Sequence, residues 1–347
     1  AFYYVDDIQD IYGEPLTSAD WVLAFASDST CVGMIQWNSD GENAVPVMGD
    51  DGYGYSAGYL GVGEEPTFKI YDASEPLNQR YFDIHPSEHH GFEIYEIFEI
   101  DAMRVSMDYE IDLHFYFNLI SFYGLPDDTD VSAIFSDLSS VDNVQGEGVS
   151  AQYFPALDSW LGGLGELNLS SGYWTRISNL DGETLQGMGH PYNIKRSYDL
   201  HEGANLVSFP SKGSFNIMDA LPDEVESHIY SIIGEGESII NTDGLFSDSL
   251  GLPSWIGSLD RFEGMHGYWI FSDANISFSF EVSPDDMLSR ELFSGSQVAE
   301  IPEGLEYIQS SEQAFYYVNP ASIEELEHGD WFVSTCGSSV SGSRQYL

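Results

Sequence analysis

The feature that most constrains this chain is its likeness to itself. Asp112-Leu113-His114, ahead of Asn118-Leu119-Ile120-Ser121-Phe122, returns as Asp199-Leu200-His201 ahead of Asn205-Leu206-Val207-Ser208-Phe209, an offset of 87 residues. Gly146-Glu147-Gly148 returns as Gly234-Glu235-Gly236, and Trp160-Leu161-Gly162 as Trp255-Ile256-Gly257. Gly172-Tyr173-Trp174 returns as Gly267-Tyr268-Trp269, by which point the offset has drifted to 95. Landmarks that keep their order while the offset drifts mark two copies of one unit of about 85–90 residues with loop insertions. A longer period also runs through the chain. Ala1-Phe2-Tyr3-Tyr4-Val5 returns intact as Ala314-Phe315-Tyr316-Tyr317-Val318, and Asp20-Trp21 as Asp330-Trp331.

These repeats divide the chain into five expected segments: a β-sandwich module over 1–103, repeat copies over 104–193 and 194–284, a connector over 285–313, and the start of a second β module over 314–347. The expected fold class is mainly β, with α+β character in the repeats. Val22–Ala26 and Cys31–Ile35, around Ser27-Asp28-Ser29-Thr30, read as a hairpin. Val45–Met48 and Thr67–Tyr71 read as further strands, and the β-branched and aromatic content of Phe92–Ile100 favours another. Short antiparallel strands at turn-punctuated spacing suggest a sandwich. In the first repeat, a strand at Asn118–Phe122 precedes a short helix with Val131, Ile134, Phe135 and Leu138 on one face and Asp130 as N-cap. The second repeat keeps a weaker helix, Ile217–Leu221, ended by Pro222, and Gly-Tyr-Trp opens a closing strand in each copy.

The charge excludes partners. With 58 Asp+Glu against 10 Lys+Arg, the net charge of −48 leaves no basic surface for nucleic-acid phosphate and repels anionic lipid. An aromatic content of 14% nevertheless permits a packed core, which disordered acidic chains lack. Self-repulsion on this scale is best tolerated in a salty medium, where at ~1 M the screening length falls to ~3 Å. No apolar run is long enough to span a membrane. Opening on Ala1-Phe2 without Met or a secretory apolar region, the chain reads as processed or trimmed.

The pattern Leu-His…Asn-Leu-Ile/Val-Ser-Phe…Gly-Glu-Gly…Trp-Leu/Ile-Gly…Gly-Tyr-Trp resembles modules of large secreted, multi-domain surface proteins of marine bacteria. Val45-Pro46-Val47-Met48-Gly49-Asp50-Asp51-Gly52 and Pro66–Ser74 resemble the β module that precedes them in such proteins. The resemblance implies export by a type IX-like route and an extracellular or cell-surface location, and it brings no catalytic residues. The sorting tail it would lead one to expect at the C-terminus is absent, as in a truncated or processed chain.

Few residues suggest chemistry. Gly54-Tyr55-Ser56-Ala57-Gly58 matches a nucleophile elbow, but lacks the strand before and the helix after that expose such a serine. His85, Glu88, His89 and His90 are the one dense His/Glu cluster, read as a solvated turn. Asn38, Asp40 and Asn43, with Asp50 and Asp51 nearby, and Asp127, Asp128 and Asp130 are candidate calcium ligands, oxygen-rich but without the full EF-hand pattern. Glu147 and Glu235 recur once per copy, as do His114 and His201, which points to framework such as a turn carboxylate accepting backbone N–H groups. Trp160, Tyr173, Trp174, Trp255, Tyr268 and Trp269 recur as landmarks and are expected in the core, while exposed members would stack on sugar rings. Cys31 and Cys336 lie in cognate regions of the two β modules, and in an oxidising medium they would pair across a joint between chains.

The expectation is a non-enzymatic, self-assembling structural protein that forms a filament, sheath or surface layer. The partial module opening at Ala314–Val318 supplies strand edges for head-to-tail contact. The alternative is a carbohydrate- or surface-binding adhesin built from the same modules.

Overall fold

A computed structural model describes residues 1–26, 30–75, 80–191, 193–242 and 255–282. Of the remainder it describes 302, 304–305, 314, 316, 318, 323, 326–327, 329–337 and 339–345. The protein is mainly β: 26 strands and three one-turn helices occur among the described residues. None of these helices is long and apolar enough to cross a membrane. The chain forms two compact units, one of residues 1–109, 124–127 and 186–196, the other of 110–123, 128–185 and 197–347.

The first unit holds β1 (Phe2–Gln9), β2 (Trp21–Ala26), β3 (Thr30–Gln36), β4 (Asn43–Pro46), β5 (Thr67–Tyr71), β6 (Tyr81–Pro86) and β7 (Ile97–Val105) in one sheet ordered β3-β2-β5-β6-β7-β1-β4. Alternation sends Val22, Ala24 and Ala26 inward from β2, and Phe68 and Ile70 from β5. The two ends of the sheet meet. Met48 N–H donates to Val32 O at 3.0 Å, and Gly33 lies so close to Pro46 O that a Cβ would sit 1.6 Å from it. The expected sandwich layers therefore belong to one continuous sheet curled on itself.

Two sequence expectations are corrected here. The pairing is not wholly antiparallel, since β1 runs parallel to β7. The strand expected from Phe92 begins only at Ile97. Phe92 exchanges backbone hydrogen bonds with Gly63 and Glu64, and Tyr95 takes φ +65°, so the intervening residues form a loop. The expected turn at residues 27–29 lies outside the described residues, although the β2–β3 hairpin it would join is present.

β8 (Met107–Leu113) carries the chain into the second unit. There follow β9 (Tyr116–Ile120), β10 (Gly124–Leu125), α1 (Val131–Ile134), β11 (Val141–Gly146), β12 (Val149–Phe154), β13 (Ser159–Gly162), β14 (Tyr173–Ile177) and β15 (Glu183–Pro191). Next come β16 (Tyr198–Leu200), β17 (Gly203–Ser208), β18 (Ser214–Asn216), α2 (Ile217–Ala220), α3 (Asp223–Glu226), β19 (Ile229–Ile233), β20 (Ser238–Asn241), β21 (Trp255–Gly257), β22 (Arg261–Glu263), β23 (Gly267–Ser272) and β24 (Ile276–Phe278). The last described elements are β25 (Trp331–Cys336) and β26 (Ser339–Gln345).

Two sheets of the second unit share one plan, β13-β12-β11-β14-β9 and β21-β20-β19-β23-β17. Both carry a register shift at the same place, Val141/Asn143 in one and Ile229/Ser231 in the other. The Gly-Tyr-Trp strands β14 and β23 do not close their sheets but lie between two neighbours. Asp130 and Asn216 cap α1 and α2 through their side chains, so the N-cap was readable. Each helix is a single turn, and Leu138 lies beyond α1.

Candidate functional site

The recurring polar residues meet at a seam between the two repeats. Asn118 and Asn205, both buried, close equivalent turns. Asn118 Oδ1 accepts His114 N–H at 2.8 Å and Asn205 Oδ1 accepts His201 N–H at 2.9 Å, while each amide donates back to the carbonyl of the same histidine. These turns project the histidines towards the glutamates of the opposite repeat. His201 Nε2 lies 2.6 Å from Glu147 Oε1, whose other oxygen accepts Leu206 N–H at 2.9 Å. The reciprocal contact is between His114 Nε2 and Glu235 Oε1, with Glu235 Oε2 accepting Leu119 N–H at 2.7 Å.

Much of the rest of the seam is reciprocal. Ser121 N–H donates to Met265 O at 2.9 Å, and Ser208 N–H to Ser170 O at 3.1 Å. Gly172 and Gly267 face each other, and a Cβ on either would lie 3.1 Å from the other's Cα. Phe117, Leu119, Trp174 and Leu206 form the buried centre, with Tyr116 and Trp269 packed against it. This is the isologous geometry of a two-fold dimer built within one chain.

Its electrostatics follow from which atoms face each other. Each histidine Nδ1 faces a carbonyl, Phe115 O or Glu202 O at 2.8 Å, and each Nε2 faces a carboxylate. Both partners only accept, so the charged imidazolium satisfies both nitrogens. Bonding to Glu235 is the main influence raising the His114 pKa. For His201 the Glu202 carbonyl acts first and Glu147 second. The recurring His and Glu are thus joined across copies. The sequence carried a signal for this in two complementary residues recurring at nearly the same offset, but nothing in it told that each pairs with the other copy.

The candidate calcium loops bind themselves. Asn43 Oδ1 accepts Asn38 N–H, and its amide donates to Asn38 O and Gly41 O; the Asp40 N–H is held by Asn38 Oδ1. Asp50 accepts Gly52 N–H, Asp51 accepts Tyr53 N–H, and both accept the hydroxyl of Ser56. Ser56, the serine of the elbow-like motif, is the buried hub of this loop. Asp128 accepts Asp130 N–H, Asp130 caps α1, and Asp127 lies 3.8 Å from His190 Nε2. Among the described residues no three His, Cys, Asp or Glu side chains converge as metal ligands would. The 85–90 cluster is dispersed: His89 faces Glu65 at 3.3 Å, His90 stacks on Phe98, and Glu88 accepts Ser87 Oγ–H and Asp101 N–H.

Of the recurring aromatics, Tyr173, Trp174 and Tyr268 are buried, while Trp160, Trp255 and Trp269 are partly exposed. Cys31 is half-buried and Cys336 exposed, and both are free thiols in the single chain. Ala314, Tyr316 and Val318 are exposed and outside any strand, and Phe315 and Tyr317 lie outside the described residues. In the first copy the same motif is strand β1 because β4 and β7 flank it.

One group of titratable residues in the first unit was not foreseen. Tyr12 O–H donates to Glu75 Oε1 at 2.9 Å, and buried Asp72 has one oxygen, Oδ2, without a partner among the described residues. Asp10 Oδ1 accepts the N–H groups of Tyr12 and Glu14, both at 2.8 Å. Desolvation above all, with the charges of Asp72 and Glu14 adding to it, pushes the Asp10 carboxyl up to about 6.

No protein-family model, curated protein or solved structure is similar to the chain by the comparisons made.

Proposed function

We propose that the chain is a non-enzymatic, extracellular structural protein, a tandem-module subunit that assembles head-to-tail into a filament, sheath or surface layer in a salty medium. In this reading a sandwich-like β module precedes two homologous α+β repeats, and a second β module opens at residue 314. The observation that carries it is the C-terminal hairpin. β25 and β26 pair Trp331 with Gln345 as β2 and β3 pair Trp21 with Gln36, and the register shift at Ala24/Phe25 returns at Ser334/Thr335. The first module's hairpin therefore recurs after the repeats, bulge included. In the first copy the outer edge of β2 is filled by β5, Trp21 facing Tyr71 and Val22 facing Ile70. Among the described residues β25 has only β26 beside it. An edge of this kind is a template for a strand from a neighbouring module.

The seam supports a structural role as well, because the polar residues that recur are engaged in joining the repeats. Cations enter this reading as counterions to the net charge of −48, since the acidic loops satisfy their own backbones. In this reading Cys336, exposed on β25, would crosslink such a contact with Cys31 of another copy under oxidising conditions.

Electron microscopy in molar salt, with calcium, with chelator and with reductant, tests the proposal. Ordered filaments or sheets are expected, thinning on reduction if the thiols join copies. Dispersed monomers under every condition would overturn it.

A further inference from the structure

What the two repeats share is framework, so an exposed difference between them is where one copy has room for a separate task. The first repeat has an open groove of about 750 Å³ between α1 and the β12–β13 hairpin. Its floor is Val131 and Phe135, and its wall is Trp160, whose ring lies 6.2 Å from Phe135 and 5.7 Å from Tyr153, centroid to centroid. Tyr153 O–H donates to Asp158 Oδ1 at 2.6 Å, which holds the phenol and the carboxylate together on the rim. Asp158 sits at φ +50°, and its Oδ2 has no protein partner among the described residues.

The second repeat differs at the equivalent described positions. By the shared caps Asp130 and Asn216, Phe135 corresponds to Leu221. By the shared pairings Ala151–Gly162 and Ile239–Gly257, Tyr153 corresponds to Asn241. Asn241 is buried, and its amide donates to Glu226 O at 3.1 Å and Ile229 O at 3.2 Å, tying the strand to the end of α3. The first repeat has no counterpart of α3. Among the described residues, the second copy thus sets a buried amide and the end of α3 where the first has a tyrosine ring.

We propose that the groove of Phe135, Tyr153, Asp158 and Trp160 binds a neutral sugar ring of a polysaccharide. An indole wall packs against the C–H face of a pyranose, and at the rim the half-satisfied Asp158 carboxylate and the oxygen of Ser132, whose proton goes to Asp130 Oδ1, accept from its hydroxyls. Asp130 and Asp158, both lining the groove, repel uronic or sulfated sugars at contact distance, where molar salt screens little. The proposal is independent of the assembly reading.

Isothermal titration of the full chain in molar salt tests it, with β-1,4-glucan, β-1,3-glucan and β-mannan hexasaccharides as probes and a polyuronate hexamer for contrast. A neutral probe is expected to bind with Kd of roughly 0.1–1 mM. Trp160→Ala and Asp158→Asn should weaken it about tenfold or more, while Trp255→Ala leaves it unchanged. Because Trp160→Ala also removes packing, Tyr153→Asn, which installs the residue of the second repeat, should give the same loss. No saturable heat with any neutral probe, binding of the polyuronate alone, or unaltered affinity in Trp160→Ala and Tyr153→Asn would each overturn the proposal.

Discussion

Replacing Asp10 by Asn should stabilise the first unit, and only above the pH at which Asp10 ionises. Moving a carboxyl from 3.8 to about 6 corresponds to about 3 kcal/mol of difference between its two protonation states. Asp10 is only partly buried, and solvent screening leaves roughly half of that, about 1.5 kcal/mol. The folded state holds this proton more tightly than the unfolded chain does. The contribution is therefore fully present below about 4 and is lost as pH rises through about 6. Asn removes the charge and keeps an Oδ1 to accept the N–H groups of Tyr12 and Glu14. Urea unfolding of both proteins at fixed ionic strength should show no difference near pH 4 and a gain of about 1.5 kcal/mol for the variant at pH 8. Any substitution that removes a negative charge also relieves general repulsion, so exposed Asp40→Asn serves as the control. Desolvation is the largest cause of the shift, so most of the gain should survive molar salt. A variant no more stable than the parent at pH 8, or a gain matched by Asp40→Asn, would refute the reasoning.

The histidines of the seam should titrate above their ordinary value, His114 through Glu235 and His201 through the Glu202 carbonyl and Glu147. Their stabilisation is full below about 6.5 and lost as pH rises through the raised values, so NMR titration giving either pKa at or below 6.5 would contradict the clasp. Gly172→Ala should cost about 1–3 kcal/mol, since its Cβ would lie 2.9 Å from Val207 O and 3.0 Å from Leu206 Cδ1, whereas Gly165→Ala, with open space around it, should be near neutral by thermal melting. Asn118→Ala should cost about 2–3 kcal/mol in the same assay, because the buried Asn118 amide takes with it the acceptor and both donors that hold the His114 turn, and a smaller loss would deny the turn its role.

The sequence declared its repeats because the residues at the seam and in the turns have few substitutes. Asn118 and Asn205 each satisfy a turn and a strand carbonyl at once, and Gly172 and Gly267 have no space for a side chain. Strands β2, β3 and β5 were legible from their alternation, and Asp130 from its position before an apolar run. The pairing of β1 with β7 was not, because parallel partners lie far apart in sequence and share no turn. The loop from Phe92 was misread because its rings and branched residues favour a strand, while its backbone is committed to Gly63 and Glu64. The crossing of His114 to Glu235 escaped for the same reason: composition and spacing describe each copy, and partnership between copies is a property of three dimensions. Where the copies diverge, at Tyr153 and Asn241, no repeated motif marks the site, although the neighbouring landmark Trp160 lines the same groove.

The seam has no memory of which chain supplied each half. The histidine–glutamate contacts and the N–H bonds of Ser121 and Ser208 each have a twin running back, so the second repeat of a neighbouring molecule would present much of the same surface. Covalent linkage through residues 186–196, which fold with the first unit, favours the partner in the same chain by raising its effective concentration. At protein concentrations approaching that effective concentration, exchange of repeats between molecules would become competitive, and reciprocal trading would join molecules with no new kind of interface.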